Sequence, residues 1–144
     1  MSYSVFKAGF DFGDAQDLLK RRNLEQGGKV QQTIDRTVIR YCIPYIPMQD
    51  GILMQSAYTA TRIGSGRVVW SAPYARFHYY GRVMTTEDGR VWARAGEKKP
   101  VVTSRDLNHD KTKHPLAGPF WFERMKADRI NDIVKEAKSV AGIK

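Results

Sequence analysis

Apolar residues recur every four positions in the first third of the chain, as they do on one face of a helix. They are Val30, Ile34, Val38 and Cys42, with Thr37 and Tyr41 widening the stripe. This spacing predicts a helix over residues 29–41, which the prolines at 44 and 47 end. Asp14 predicts the cap of a shorter helix that runs to about Asn23, with Leu18 and Leu19 on its inner face.

A second helical pattern occupies the last 25 residues. Its predicted apolar face holds Phe122, Met125, Ile130, Ile133, Val134, Ala137 and Val140. Charged residues cover the other face. Pro119 suits a helix N-terminus, and Gly142 suits the left-handed residue that ends a helix. The pattern predicts about five turns of helix that pack along a sheet or another helix.

Between these helices the sequence alternates in polarity and is rich in Thr, Val, Tyr and Trp, which is typical of strands. Predicted strands cover residues 56–63, 67–71, 82–86 and 90–95, joined as hairpins at Gly64-Ser65-Gly66 and Asp88-Gly89, and Val101-Val102 adds a short one. The predicted fold class is therefore α+β. An antiparallel sheet of about four strands would pack against the N-terminal helices and the long C-terminal helix.

The stretch Ser71–Gly81 carries four Phe or Tyr residues in eleven positions. Pro73 suits the first turn of a helix and Gly81 its end, so a two-turn helix is predicted over residues 73–80. Tyr74, Phe77 and Tyr80 would share one face at i,i+3 spacing. We expect this helix to attach the sheet to the core, while a ligand site of stacked aromatic rings is the alternative.

A chain of 144 residues with 42% hydrophobic content predicts a single domain, residues 1–144. Residues 1–13 lack a helical or strand period and are predicted to be an N-terminal aromatic arm. Residues 96–113 are predicted to be an extended loop that contacts a neighbouring subunit or DNA, with a solvated loop as the alternative. No apolar run approaches the length of a membrane span, and the N-terminus does not have the pattern of a signal peptide.

Lysine and arginine outnumber aspartate and glutamate by 24 to 15, which gives a net charge of +9. More than half of this excess falls in residues 51–100. Such a surface favours polyanions including DNA, or an acidic protein partner, but no sequence-specific DNA reader is present.

The residues do not form a pattern of catalytic, cofactor-binding or metal-binding chemistry. His109 and His114 are five positions apart, which is not the spacing of a metal pair on a helix. The lone cysteine, Cys42, is expected to behave as a small hydrophobic residue. We therefore predict no catalytic, cofactor or metal site and no enzyme. A nuclease-like enzyme would have to depend on His109 or His114.

Three pieces of the sequence carry a resemblance to a known family. They are Asp50-Gly51-Ile52-Leu53-Met54-Gln55-Ser56, then Ala72-Pro73-Tyr74-Ala75 with Tyr79-Tyr80-Gly81, and then His114-Pro115-Leu116-Ala117-Gly118-Pro119-Phe120-Trp121-Phe122-Glu123-Arg124-Met125. In this order they resemble the minor capsid proteins of tailed bacteriophages and prophages of Gram-positive bacteria. The resemblance covers roughly residues 40–138.

The resemblance implies a structural protein of the virion, assembled in the host cytoplasm, in the head–tail connector or neck. There it would form a homo-oligomeric ring between portal and tail through which DNA passes, without a membrane partner. Expected partners are other neck, portal-adaptor or tail-completion proteins, with non-specific contact to packaged DNA in the lumen. Candidate contact elements are the N-terminal arm, the extended loop and the strand edge near Val83. The alternative is a basic nucleic-acid-binding module.

Overall fold

The computed structural model describes residues 13–143. The elements in chain order are α1 (Gly13–Arg21), α2 (Lys29–Cys42), a 3₁₀ turn (Ile43–Tyr45), α3 (Ile52–Ala60), α4 (Ala75–Tyr80), β1 (Arg82–Thr85), β2 (Val101–Asp106) and α5 (Trp121–Ala141). This confirms an α+β fold with a long C-terminal helix. Within the described part of the chain, no helix is both long and apolar enough to cross a bilayer.

The core lies between α2 and α5, which run antiparallel and make the most extensive contact between helices. The α2 prediction is confirmed: Val38 and Cys42 on its apolar stripe are buried in the main cluster. Ile39, which the four-residue spacing did not include, is fully buried as well. The helices thus pack on each other, and not on a central sheet as predicted.

The buried face of α5 differs in part from the predicted one. Met125 and Ile133 are buried as expected, but Ile130 and Val134 are about 40% exposed. Trp121 in the first turn is 1% exposed, although the helical pattern did not include it. α2 covers only a narrow stripe of α5. Only a few residues of the broad apolar face of α5 therefore contact α2.

The predicted sheet of about four strands is wrong. Within residues 13–143 the sheet has two antiparallel strands, with Met84 opposite Val102 and Thr85 opposite Val101. The short strand predicted at residues 101–102 is confirmed and extends to residue 106, inside the segment predicted as an extended loop. Residues 67–71 and 90–95 are not strands, because neither segment forms a ladder with a second strand; the Arg90 and Arg94 carbonyls accept backbone hydrogen bonds only in turns.

The predicted strand from Ser56 is a helix instead. Leu53 and Ala57, one helical turn apart, are both buried, so the burial has a helical period. The Ser56 hydroxyl donates to the Leu53 carbonyl at 2.7 Å, and the Thr59 hydroxyl donates to the Ser56 carbonyl at 3.1 Å. These hydroxyls form hydrogen bonds within the helix, so the Ser and Thr residues here did not indicate a strand.

α4 confirms the predicted aromatic helix, and Gly81 ends it in the left-handed conformation at φ 64°. The inner face is not the predicted one, however. Ala75 is buried and Tyr79 packs on the core, whereas Tyr80 is half exposed. α4 contacts β1 directly, so it attaches the small sheet to the helices as expected.

α1 forms where a short helix was predicted, but Leu18 and Leu19 are exposed and do not make an inner face. A hydrogen bond links the chain after α1 to the end of α5, since the Arg22 guanidinium donates to the Gly142 carbonyl at 3.1 Å. The predicted N-terminal arm lies outside the described residues except for Gly13, where α1 begins.

Candidate functional site

The second and third quoted sequence pieces meet where α4 ends and α5 begins. The Phe120 amide donates to the Tyr79 carbonyl at 2.8 Å, and the Tyr79 hydroxyl donates to the Glu123 carboxylate. Gly81 lies against Pro119, with no room between them for a side chain. These two pieces therefore build one junction between the helices and the sheet.

Aromatic rings fill the interior of this junction. The rings of Tyr79 and Trp121 meet edge to face with centroids 4.7 Å apart, and Trp70 contacts Trp121 in the same way at 5.7 Å. Burial and the hydrogen bond to Glu123 raise the pKa of the Tyr79 hydroxyl. Because the rings contact one another, the aromatic stretch has the packing role that the sequence predicted.

Arg124 organises the loop that leads into α5. Its guanidinium donates to the carbonyls of Leu116 and Pro119, both at 2.8 Å, and lies 3.4 Å from the Tyr45 carbonyl. Gly118 leaves space for this guanidinium, because a Cβ there would lie 3.1 Å from its Nη2. The structural role of Arg124 was not predicted, since sequence spacing does not reveal which carbonyls a side chain reaches.

His109 and His114 each lie close to a backbone carbonyl, and His78 lies beside His109. His109 Nε2 lies 3.0 Å from the His78 carbonyl, and His114 Nδ1 lies 2.7 Å from the Ile46 carbonyl. Burial and the neighbouring His109 lower the pKa of His78. Among the described residues, no group of three His, Cys, Asp or Glu is placed to hold a metal ion.

Cys42 is fully buried in the core, and burial raises the pKa of its thiol to about 12. This position confirms the prediction that it behaves as a small hydrophobic residue.

Two acidic residues that the sequence reading missed hold the helices and their loops together. Asp35 is 2% exposed and accepts hydrogen bonds from the amides of Gly64 and Gly66 at 2.7 and 3.2 Å. Glu136 accepts from Thr37 at 3.0 Å and pairs with Arg40 at 2.6 Å, so it links α5 to α2. Asp35 follows Ile34 directly on the apolar side of α2. An acidic residue at such a position was the sequence signal that could have indicated this role.

A self-contained loop over residues 86–97, which we call the tip, follows β1. Arg90 pairs with Asp88 and with Glu97, each at 2.6 Å, and its guanidinium stacks over the Trp92 ring at 4.5 Å. The Arg90 guanidinium and the Thr86 hydroxyl hold the pKa of Asp88 at about 2. The tip is thus ordered by its own contacts, yet it leaves Trp92 56% exposed.

A groove of about 660 Å³ opens between α2, residues 66–70 and α5. Its apolar lining includes Ile34, Val68, Trp70, Phe122 and Ile130. The groove and the tip both expose large apolar side chains beside backbone groups that form no hydrogen bond within residues 13–143.

The junction, the tip and the groove suit a role in assembly. Comparison with known families identifies the class of protein. Residues 6–140 match the family described as minor capsid protein. The chain belongs to the minor capsid protein family. Searches among curated proteins and among solved structures gave no match. Membership confirms the resemblance, and it gives this minor capsid protein a structural role in the phage virion.

The contact elements expected for this minor capsid protein differ in how they are built. The N-terminal arm lies outside the described residues. The segment 96–113 contains β2, whose residues are mostly exposed, including Val101 and Val102. Val83 on β1 is half-buried, and its carbonyl accepts a hydrogen bond from the Thr103 hydroxyl at 2.6 Å.

Proposed function

We propose that this chain is a component of the head–tail connector, or neck, of the phage. It would form a homo-oligomeric ring between portal and tail, with other neck, portal-adaptor or tail-completion proteins as its neighbours. The observation that carries the proposal is the family match over residues 6–140, which covers nearly the whole chain.

The charge of the chain supports a position next to DNA. The net charge is +9, and Arg94 on the tip, Lys98 beside it and Arg105 on β2 are exposed and make no ion pair within residues 13–143. Cations of this kind attract the phosphate backbone without reading its sequence. A basic lumen would let packaged DNA slide through the ring while contacting it only weakly.

The exposed apolar residues support assembly from several copies. Large exposed side chains such as Trp92 and Ile130 are the kind that become buried in protein interfaces. A ring of identical chains needs two different surfaces on each copy, one for each neighbour. The tip and the groove are two such surfaces.

A basic nucleic-acid-binding module is the second candidate function. The observation that favours it is the exposed Trp92 close in sequence to Arg94, which makes no ion pair within residues 13–143, since aromatic stacking beside basic residues suits single-stranded nucleic acid.

The mass of the purified protein separates the two candidates. Light scattering over a concentration series, with and without duplex DNA, is expected to give a closed oligomer and weak DNA retention. Incorporation of the protein into virions, followed by immunodetection at the neck, tests its position. A discrete monomer that binds nucleic acid tightly, and loses it steeply as salt rises, would replace the neck with the nucleic-acid module.

A further inference from the structure

Residues 67–70 have the sequence of a strand but no strand partner. Their burial alternates, with Arg67 and Val69 exposed and Val68 and Trp70 half-buried. The amide of Val69 is bonded to the Thr61 hydroxyl at 3.0 Å. Within the described residues, the amides and carbonyls of Val68 and Trp70 make no hydrogen bond. Because alternate residues of an extended chain direct their backbone groups to opposite sides, one edge of this segment is open.

The tip carries a second unpaired segment that the sequence predicts to be a strand. Val91 and Trp92 are 48% and 56% exposed. The backbone groups of Val91, Trp92 and Ala93 make no hydrogen bond within residues 13–143. The Arg90–Glu97 ion pair joins the chain on either side of this segment, whose backbone bends at Val91 and Trp92 and would straighten there on pairing.

The groove lies directly beside the open edge, because Val68, Val69 and Trp70 form one of its walls. Its floor is apolar, and its charged lining balances: Asp35 and Glu123 against Arg67 and Lys126. Copies of a chain with a net charge of +9 repel one another, so contact is favoured where the local charge is neutral.

From these observations we propose that the tip of one copy docks in the groove of the next. Residues 91–93 would pair with residues 68–70 as a strand across the interface, with Trp92 opposite the exposed Val69 and Val91 directed into the groove. The inference rests on the proposed ring and names the contact that closes it. The tip of each chain would bind the neighbour on one side, and its groove would bind the neighbour on the other side, as a ring of identical copies requires.

This contact also explains why both segments have strand-forming sequences. Strand pairing between chains satisfies backbone groups that are otherwise left to water, and side-chain pockets then supply specificity. A buried tryptophan at the centre of an interface is a common source of much of its binding energy. The two strands missing from the isolated chain would thus form in the assembly.

Disulfide trapping tests the contact. A chain with both Trp92→Cys and Val69→Cys is expected to give a ladder of covalent multimers on mild oxidation. Equal mixtures of the two single variants should stop at dimers, and neither single variant should crosslink by itself. The native Cys42 does not interfere because it is fully buried. Trp92→Cys combined with Tyr58→Cys, an exposed position on α3 away from the groove, is the matched control.

The solution mass of Trp92→Ser gives a second readout, with Tyr58→Ser as its control. Both side chains are exposed, so the thermal midpoints should match wild type. We expect Trp92→Ser to need at least about tenfold more protein to assemble, the effect of losing one well-buried contact, and Tyr58→Ser to assemble as wild type does.

The outcomes separate the two proposals. If wild type and Trp92→Ser form the same closed oligomer at the same concentration and no ladder appears, the contact is refuted and the neck function stands. If Trp92→Ser assembles normally but loses DNA, Trp92 is a DNA contact and the inference is again refuted. If wild type forms no oligomer, alone or with the phage portal, the ring itself is refuted, and this contact with it.

Discussion

Gly81 at the end of α4 faces Pro119 before α5 so closely that a Cβ atom on Gly81 would lie 2.9 Å from the Pro119 Cβ. The left-handed backbone of Gly81, at φ 64°, turns the chain from α4 into β1 at this point. One residue therefore satisfies two requirements, a conformation that favours glycine and a contact that excludes a side chain.

Gly81→Ala should lower the free energy of unfolding by about 2 to 4 kcal/mol, since the left-handed conformation costs about 1 to 2 kcal/mol and overpacking adds about as much again. Urea denaturation followed by circular dichroism measures this change. Gly89→Ala is the matched control, because Gly89 has a similar φ of 84° with nothing within 4 Å of the added Cβ. Equal losses for the two variants would show that the Pro119 contact does not matter.

Asp35→Ala should destabilise the protein by at least about 2 kcal/mol, because it leaves buried donors without an acceptor. The donors are the amides of Gly64 and Gly66 and the Gln31 side chain. Thermal unfolding monitors the loss. Asp132→Ala, which removes only an exposed ion pair with Arg129, should cost less than about 0.5 kcal/mol. A similar small effect for Asp35→Ala would argue against its role in holding the turn.

Glu136 should make stability depend on acid pH. Hydrogen bonds from Tyr41, then Thr37, and the Arg40 charge lower the pKa of Glu136 in the folded chain. The unfolded chain then binds the proton first, so this stabilisation is complete above the ordinary glutamate pKa of about 4.3 and is lost as pH falls through the lower folded value.

Unfolding midpoints measured from pH 7 to pH 2.5 test this prediction. Glu136→Gln should be less stable than wild type at pH 7 and should lose less on acidification, so the two curves converge at low pH. Glu87→Gln, a change at an exposed position, should follow the wild-type curve. Parallel curves for wild type and Glu136→Gln would contradict the assignment.

The exposed basic residues of the tip and of β2 should govern the salt dependence of DNA binding. Replacing Arg94, Lys98 and Arg105 together by Gln should weaken retention of duplex DNA. It should also lower the slope of log affinity against log salt by up to about 2.7, since each phosphate contact contributes about 0.9. Fluorescence anisotropy at several salt concentrations gives the slope.

A control variant with the same change in net charge separates local contact from general attraction. Arg21, Arg36 and Lys138 are exposed and lie outside the tip and β2, and replacing all three by Gln should leave most of the slope in place. If both triple variants reduce the slope equally, DNA responds to the overall charge, and the tip and β2 have no special part in binding.

The sequence predicted four of the five helices within residues 13–143, because each helix bonds to itself. The spacing of Val30, Val38 and Cys42 identified α2, and Gly81 and Gly142 marked the ends of α4 and α5. The burial of Ile39 and Trp121 was not predicted, since the depth of a side chain depends on where the partner helix lies.

The strands were predicted poorly, because a strand does not bond to itself as a helix does. Val68-Val69-Trp70 and Val91-Trp92 have strand-forming side chains, but a strand exists only where another backbone supplies the bonds. α3 was mistaken for a strand because the hydroxyls of Ser56 and Thr59 bond inside the helix. The candidate assembly site was missed as such, because the tip and the groove come from segments far apart in the chain.

The sequence by itself determined what depends on neighbouring residues and on composition: four of the five described helices, the glycines that end α4 and α5, the basic charge and the family. Only the tertiary structure decided which faces are buried, that Asp35 and Glu136 join separate elements, and that two strand-like segments stay unpaired. These features depend on contacts between residues distant in the chain, and local spacing carries no information about which distant groups will meet.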